Sequence, residues 1–156
     1  MGRILAVDYG ERRLGLALSD ESEIVAAQTL PTIDRREIAP PDSAESRIGA
    51  LAESWSVSEI VVGLPVNMDG SHGEAAQRAA HFAASLAELT GLPVHTWDER
   101  LTTVVAKKVQ AELNLPRRKR QQKERLDRTA ALLLLQNYLD FRRNEAARAA
   151  RKSSDS

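Results

Sequence analysis

The sequence predicts an α/β domain in which a mixed five-stranded sheet, three antiparallel strands followed by parallel strands, is flanked by helices. Short apolar or alternating segments fill the first 30 residues, and apolar segments then alternate with stretches of helical periodicity. Strands joined by short connections pair antiparallel, whereas strands joined through a helix pair parallel. The order of the segments therefore predicts the order of strand directions.

The first three strands are predicted before Pro31. Residues 3–7 form a nearly continuous apolar run that ends at Asp8-Tyr9-Gly10, a turn signal. Leucines alternate with smaller residues over 14–19, which is the two-residue period of a strand. Residues 24–30 predict a third strand, and the charged stretch 32–42 predicts a loop.

The remaining elements alternate between helix and strand and are separated by Gly and Pro stop signals. In order, they are a helix capped by Asp42 or Ser43, a strand at 59–63, a helix from 75 to about 90, a strand at 94–97, a helix from Thr102 or Thr103 to about Asn114, and a last helix from about Glu124.

The length of 156 residues fits one domain, which we expect to span residues 1–143. Residues 144–156 are rich in Ala, Arg and Ser and are expected to fray or be disordered. The absence of cysteine excludes disulfides and thiolate metal sites. The three histidines lack the spacing of zinc ligands.

Charge and hydropathy favour a cytoplasmic protein without membrane contact. Asp8 and the charged residues at 11–13 interrupt the first apolar stretch, so no signal peptide is expected. No apolar run reaches the roughly 20 residues of a membrane span. The neutral total charge hides an asymmetry of −8 in residues 1–100 and +8 in the rest. A local basic surface can still bind a polyanion, although such charges are often only solvated helix faces.

Acidic residues lie at the ends of several apolar elements. Asp8 ends the most apolar strand, and Asp98 and Glu99 end the last one. Asp127 lies in the first turn of the last helix. Half-buried carboxylates are unfavourable unless something compensates them. Each acid also has a simpler explanation, because Asp8 could brace its turn, Asp98 or Glu99 could pair with Arg100, and Asp127 could favour the helix N-terminus.

Considered together, the acids predict a metal site. The predicted topology brings the strand ends to one rim, where sites on open α/β sheets form, and the last helix could bring Asp127 over the same rim. Oxygen ligands without His or Cys suit Mg²⁺ or Mn²⁺, in a site for one ion or for two. Such ions suit the hydrolysis of phosphodiester bonds.

Four segments then resemble one family. Arg3 to Gly10 with Leu14 to Ala17 resembles the opening motif of the YqgF family of pre-16S rRNA nucleases, also called Holliday-junction-resolvase-like or RuvX-type proteins. Residues 63–71 (GLPVNMDGS), 98–103 (DERLTT) and 126–139 (LDRTAALLLLQNYL) resemble its second, third and last motifs. The match spans about residues 3–140.

The resemblance implies an RNase H-like fold and a metal-dependent endonuclease that matures the 5′ end of 16S rRNA. It also implies that Asp8, the acid of Asp98-Glu99, and Asp127 are catalytic metal ligands. Glu99 is favoured over Asp98, because adjacent strand residues face opposite ways and resolvases use a Glu from the corresponding strand.

Further residues are candidates for substrate binding. Arg100 could hold a phosphate or form a surface ion pair with Asp98, and the 66–73 loop could contact the nucleic-acid backbone or be a plain turn. The basic run before Asp127 is a candidate phosphate-binding patch. The residues are Asn67, Asp69, Ser71, Arg100, Arg117, Arg118, Lys119 and Arg120.

Three alternatives remain beside pre-rRNA processing. The fold could serve a Holliday-junction-type DNA resolvase or a non-catalytic RNA-binding module. A sugar-kinase or actin-like ATPase shares the strand–Asp-x-Gly–strand opening but needs a second subdomain and a second phosphate loop. Pre-rRNA is favoured over DNA junctions as the partner, and the sequence leaves a monomer or a homodimer open.

Overall fold

The computed structural model describes residues 2–23, 25–64, 73–98 and 119–154, with the backbone alone at 119–129 and 152–154. In chain order the described elements are β1 (Arg3–Asp8), β2 (Arg13–Ser19), β3 (Ala26–Asp34), a 3₁₀ turn (Arg35–Glu37), α1 (Ala44–Ser54), β4 (Val57–Leu64), α2 (Glu74–Thr90), β5 (Val94–Asp98) and α3 (Lys119–Ser154). The helix predicted for about 102–114 lies outside the described residues.

The five strands form one mixed sheet in the order β3-β2-β1-β4-β5. The β1–β2 and β2–β3 pairs are antiparallel, and the β1–β4 and β4–β5 pairs are parallel. This confirms the fold class predicted from the sequence. The most apolar strand, β1, lies at the centre, where both of its faces are covered.

Helices cover both faces of the sheet. Alternate residues of the central strands pack against α1 and α2 in one core cluster, which includes Leu5, Val7 and Phe82. The other alternate residues, such as Ile4 and Ala6, pack against α3. Each face of β1 is therefore assigned by its two-residue alternation. No helix in the described part of the chain is both long and apolar enough to span a membrane.

Two predicted helix boundaries are confirmed by their caps. The side chain of Ser43 accepts a hydrogen bond from the backbone N–H of Ser46 and forms a capping box, so Ser43 rather than Asp42 caps α1. Gly91 ends α2 with φ of 70°, the left-handed conformation that glycine adopts without steric penalty.

Two other element boundaries differ from the predicted ones. The loop predicted from Thr32 begins later, because β3 continues to Asp34 and pairs with β2. Pro31 is tolerated there because β3 is an edge strand of the sheet. The last helix is longer than predicted, since α3 starts at Lys119 and continues to Ser154, into the segment that was expected to fray. Ala and Arg are strong helix formers, and no Gly or Pro interrupts them.

A polar network ties α3 to the sheet. Glu59, near the start of β4, accepts hydrogen bonds from the hydroxyl of Tyr138 at 2.6 Å and from Arg142 Nη1 at 2.9 Å. His95 Nε2 of β5 lies 2.8 Å from the same carboxylate. Burial, followed by the hydrogen bond to Glu59, raises the pKa of Tyr138 well above its usual value. The buried carboxylate thus fixes where α3 crosses the sheet.

Replacing Tyr138 by Phe should destabilise the protein by about 1.5 kcal/mol or more, because it removes a hydrogen bond to a mostly buried carboxylate while keeping the ring. The free energy of unfolding from urea titration measures this effect. Arg143→Gln is the control, because Arg143 is exposed one residue past the network and should change stability by less than about 0.5 kcal/mol.

The stability of the wild type and that of Tyr138→Phe should depend differently on alkaline pH. A pKa that is raised on folding gives stability that is fully present below pH 10, the unfolded value, and is lost as the pH rises further. The stability difference between wild type and Tyr138→Phe should therefore shrink above pH 10. If the difference in the free energy of unfolding stays constant above pH 10, the pKa of Tyr138 is not raised by folding.

Candidate active site at the carboxyl edge of the parallel strands

Asp8 lies at the carboxyl end of the central strand, in a row of the sheet that holds two glycines. It pairs with Gly15 of β2 on one side and with Gly63 of β4 on the other. Both glycines are buried, whereas Asp8 is partly exposed. Residues in one row project from the same face, so neither immediate neighbour places a side chain beside the carboxylate. In this row the two strands next to β1 thus contribute glycines rather than side chains.

The row continues to Trp97 of β5, which pairs with Gly63. Trp97 is buried in the core cluster that packs against α3, so Asp8 and Trp97 project from the α3 face. Two strand spacings separate their backbones, about 10 Å.

Asp98 occupies the next position and pairs with Leu64. Because side chains alternate along a strand, Asp98 projects from the face opposite to Asp8. The structure therefore brings Asp8 and Asp98 to the same edge of the sheet but not to the same face. The register alone argues against a metal ion shared by these two carboxylates.

The direction of α3 brings its first turns towards this edge. Near its middle, Gln136 accepts a hydrogen bond from the backbone N–H of Ala26, at the start of β3, and Tyr138 contacts Glu59 near the start of β4. Earlier in the helix, Ala131 is fully buried over the sheet. The helix therefore runs opposite to β1 and β4.

Helical geometry gives the position of residue 127 on this helix. Asp127 precedes Ala131 by one turn on the same side of α3, and its side chain is not described. Along the helix axis, residue 127 lies about 16 Å before Tyr138, the residue that contacts Glu59. Along β4, Gly63 of the Asp8 row lies roughly 13 Å from Glu59, which is a similar distance. The backbone at 127 is therefore nearly level with the Asp8 row.

The remaining predicted catalytic and substrate-binding residues belong to two groups. Lys119 and Arg120 begin α3, but their side chains are not described. The candidates that lie outside the described residues are Glu99, Arg100, Asn67, Asp69, Ser71, Arg117 and Arg118.

The ligands predicted from the sequence are all carboxylates, which suit a hard cation. Within the ranges that the structure describes, no three His, Cys, Asp or Glu side chains form a metal-binding group. Of the three predicted ligands, only the side chain of Asp8 belongs to those ranges. The predicted set contains carboxylates alone, which Mg²⁺ and Mn²⁺ prefer and which could position such ions against a phosphodiester.

An open cavity of about 560 Å³ lies beside the same edge, on the face of α1 and α2. Tyr9, the residue after Asp8, lines it together with Arg35 and Phe82. Sequence reasoning missed this cavity. Its residues come from four separate segments, and only the position of Tyr9 next to Asp8 could have pointed to it.

The cavity rim carries an ion-pair network. The guanidinium of Arg78 contacts the carboxylate of Glu11 and lies 4.0 Å from that of Glu74. Glu74 and Arg78 line the cavity, and Glu11 precedes β2. These contacts tie the start of α2 to the segment that follows Asp8.

Comparison with known proteins identifies the family of this chain. A family model described as "RuvX: Holliday junction resolvase" matches residues 2–141. Two relatives named "Putative pre-16S rRNA nuclease" come from Pelotomaculum thermopropionicum and Moorella thermoacetica. The first is 44% identical over 88% of this chain and 86% of its own length, and the second is 46% identical over 88% and 94%.

A solved structure supports the fold alone. The RuvC of Thermus thermophilus in complex with a Holliday junction substrate aligns with a TM-score of 0.56 and 15% identity, covering 92% of this chain and 96% of that chain. The RNase H-like fold implied by the sequence motifs is confirmed by this likeness. Because the family model covers most of the chain and relatives above 40% identity align over nearly their full length, the chain belongs to the RuvX (YqgF) family of Holliday junction resolvase-like nucleases.

Proposed function

We propose that this nuclease is a metal-dependent endonuclease whose reaction centre is built around Asp8. The observation that carries the proposal is the row Gly15-Asp8-Gly63 at the carboxyl edge of the sheet. The carboxylate stands in one row with two buried glycines, at the end of a strand whose residues 4–7 are buried. The two glycines support a site where a metal ion and a phosphate group could approach Asp8.

The proposed metal ligands are Asp8, Glu99 and Asp127. Two of the described features support this choice. Asp98 projects from the face opposite to Asp8, which leaves Glu99 as the acid to test at this strand end. Position 127 of α3 is one turn before a residue buried over the sheet. When bound, Mg²⁺ or Mn²⁺ would activate water and stabilise the leaving oxygen.

The chain's own residues would orient the substrate. Asp8, on the rigid central strand, would fix the reaction centre relative to the sheet. Arg100 and the 66–73 loop residues Asn67, Asp69 and Ser71 would contact the backbone next to the cleaved bond. The basic run 117–120 would contribute non-specific affinity for phosphates.

The proposed substrate is the 5′ region of pre-16S rRNA, cut in the cytoplasm during ribosome biogenesis. The names of the relatives from Pelotomaculum and Moorella support RNA. The alternative is a four-way DNA junction, which the family description favours. A resolvase would need two active sites and hence a dimer, whereas an RNA nuclease could act as a monomer.

Replacing Asp8 by Asn should abolish cleavage while the protein stays folded. Loss of a metal's supporting hydrogen bonds commonly costs 10- to 100-fold in affinity or activity, so loss of a ligand should lower the rate by about 100-fold or more. Cleavage should be measured with Mg²⁺ and with Mn²⁺ on the 5′ region of pre-16S rRNA and on a four-way DNA junction.

Two further measurements make the Asp8→Asn result decisive. Titration calorimetry with Mn²⁺ should show weaker metal binding to the variant in the absence of substrate, and circular dichroism should show an unchanged fold. Full cleavage by the purified variant would refute the proposed centre. Cutting of the junction but not of the rRNA would favour the resolvase.

Asp98→Asn and Glu99→Gln form a matched pair at one strand end. Since the register turns Asp98 away from Asp8, its replacement should leave the cleavage rate within a few-fold of wild type. Glu99→Gln should lower the rate as strongly as Asp8→Asn does. The reverse order of effects would assign the metal ligand to Asp98.

Neutralising Arg117, Arg118, Lys119 and Arg120 with Gln should weaken RNA binding. It should also reduce the slope of log affinity against log salt concentration by up to about 3 units, because each phosphate contact contributes roughly 0.7 to 0.9. Fluorescence anisotropy at several salt concentrations measures both. If the salt slope is unchanged, the basic run makes no phosphate contacts and is only a solvated surface.

A further inference from the structure

The cavity beside Asp8 contains an arginine that lies against two aromatic rings. The guanidinium of Arg35 lies 5.5 Å from the ring centroid of Tyr9 and 5.8 Å from that of Phe82. Its Nη1 also donates a hydrogen bond to the Tyr9 hydroxyl at 3.0 Å. The two rings contact each other, with centroids 5.2 Å apart. Arg35 is thus oriented by cation–π contacts and one hydrogen bond.

No carboxylate among the described residues forms an ion pair with Arg35. The other arginine of the cavity, Arg78, is already paired with Glu11 and Glu74. Because Arg35 is only partly buried, part of the guanidinium remains accessible from the cavity. A planar cation with aromatic rings behind it is suited to stacking against another flat group.

The remaining lining groups argue against a site for phosphate. The two arginines of the cavity are matched by two carboxylates, Glu45 and Glu74. Phosphate binding needs an excess of positive charge, which this lining lacks. The side chains of Glu45, Gln77 and His81 instead supply a mixture of hydrogen-bond donors and acceptors. Such a mixture suits the edge of a nucleobase.

We propose that this cavity binds one unpaired nucleobase of the substrate strand, stacked on Arg35 and read at its edge by Glu45, Gln77 and His81. The inference rests on the proposed function, because it takes the substrate to be nucleic acid. Its position supports it, since Tyr9 directly follows Asp8 in the chain. A strand that crosses the sheet edge at Asp8 can place a base from a neighbouring nucleotide in the cavity. Single-stranded nucleic acid is commonly recognised by such stacking on aromatic and arginine planes.

The test is an abasic scan of binding. The probe is an RNA hairpin with single-stranded flanks, compared with versions that each lack one base in a flank. Anisotropy is measured in EDTA with the full chain, so that no cleavage occurs. One abasic position should weaken binding to the wild type by roughly 5- to 100-fold. The same position should have no effect on Arg35→Ala, which should bind the intact hairpin about as weakly.

Arg35→Lys separates stacking from charge. Lysine keeps the positive charge but loses the plane, so this variant should bind like Arg35→Ala, and the salt dependence should stay that of the wild type. Gln77→Ala and His81→Ala change only exposed residues of α2, and each should also reduce the effect of the critical abasic position. The matched control is Arg36→Ala, an exposed neighbour outside the cavity, which should bind as the wild type does.

Three outcomes would overturn the proposal. They are a scan without a critical position, wild-type affinity in Arg35→Lys, and a reduced salt slope in Arg35→Ala, which would indicate a phosphate contact. Because binding is measured without metal, these outcomes are independent of the Asp8→Asn result. If no abasic position weakens binding while the protein still cleaves RNA, the cavity does not bind a nucleobase. The nuclease proposal would then stand.

Discussion

The pairing of β1 with β2 and β4 is the constraint on which the rest of the structure depends. It sets which face of the sheet each residue of the central strand occupies, and it places two glycines beside Asp8. A shift of one residue in this register would send every side chain of β1 to the opposite face. Leu5 and Val7 would then lose their contacts with α1 and α2, and Asp8 would leave the α3 face. The same apolar alternation that builds the core therefore also orients the carboxylate.

The fold was predictable because its signals are local. The apolar run at 3–7 and the alternating leucines at 14–19 follow directly from the period of a strand. The end of β3 was not predictable in this way, since Pro31 is usually a strand breaker and only the position of β3 at the sheet edge permits it. The continuation of α3 to Ser154 was missed because polar composition was taken as a sign of fraying. Helix propensity, rather than hydrophobicity, was the better guide there.

The candidate site was predictable only in part. Asp8 could be found because a carboxylate at the end of an apolar strand is unusual. The preference for Glu99 over Asp98 used strand alternation, and the register of β4 with β5 shows that Asp98 faces away from Asp8. The roles of Glu99, Arg100 and the 66–73 loop stay predictions. The Arg35 cavity was invisible to sequence reasoning, because no periodicity connects Tyr9, Arg35 and Phe82. Only tertiary packing brings these three side chains together.

The single helix α3 joins the network at Glu59 to the edge that holds Asp8. Each residue of a helix adds about 1.5 Å of length and about 100° of rotation. An insertion or deletion between positions 127 and 138 would therefore turn Asp127 away from the side of the helix that Ala131 and Tyr138 share. The spacing of these residues has to be kept whenever the chain changes. From Arg143 to Arg151 the residues of this helix are exposed, so additions or losses of residues there should leave the reaction centre unaltered.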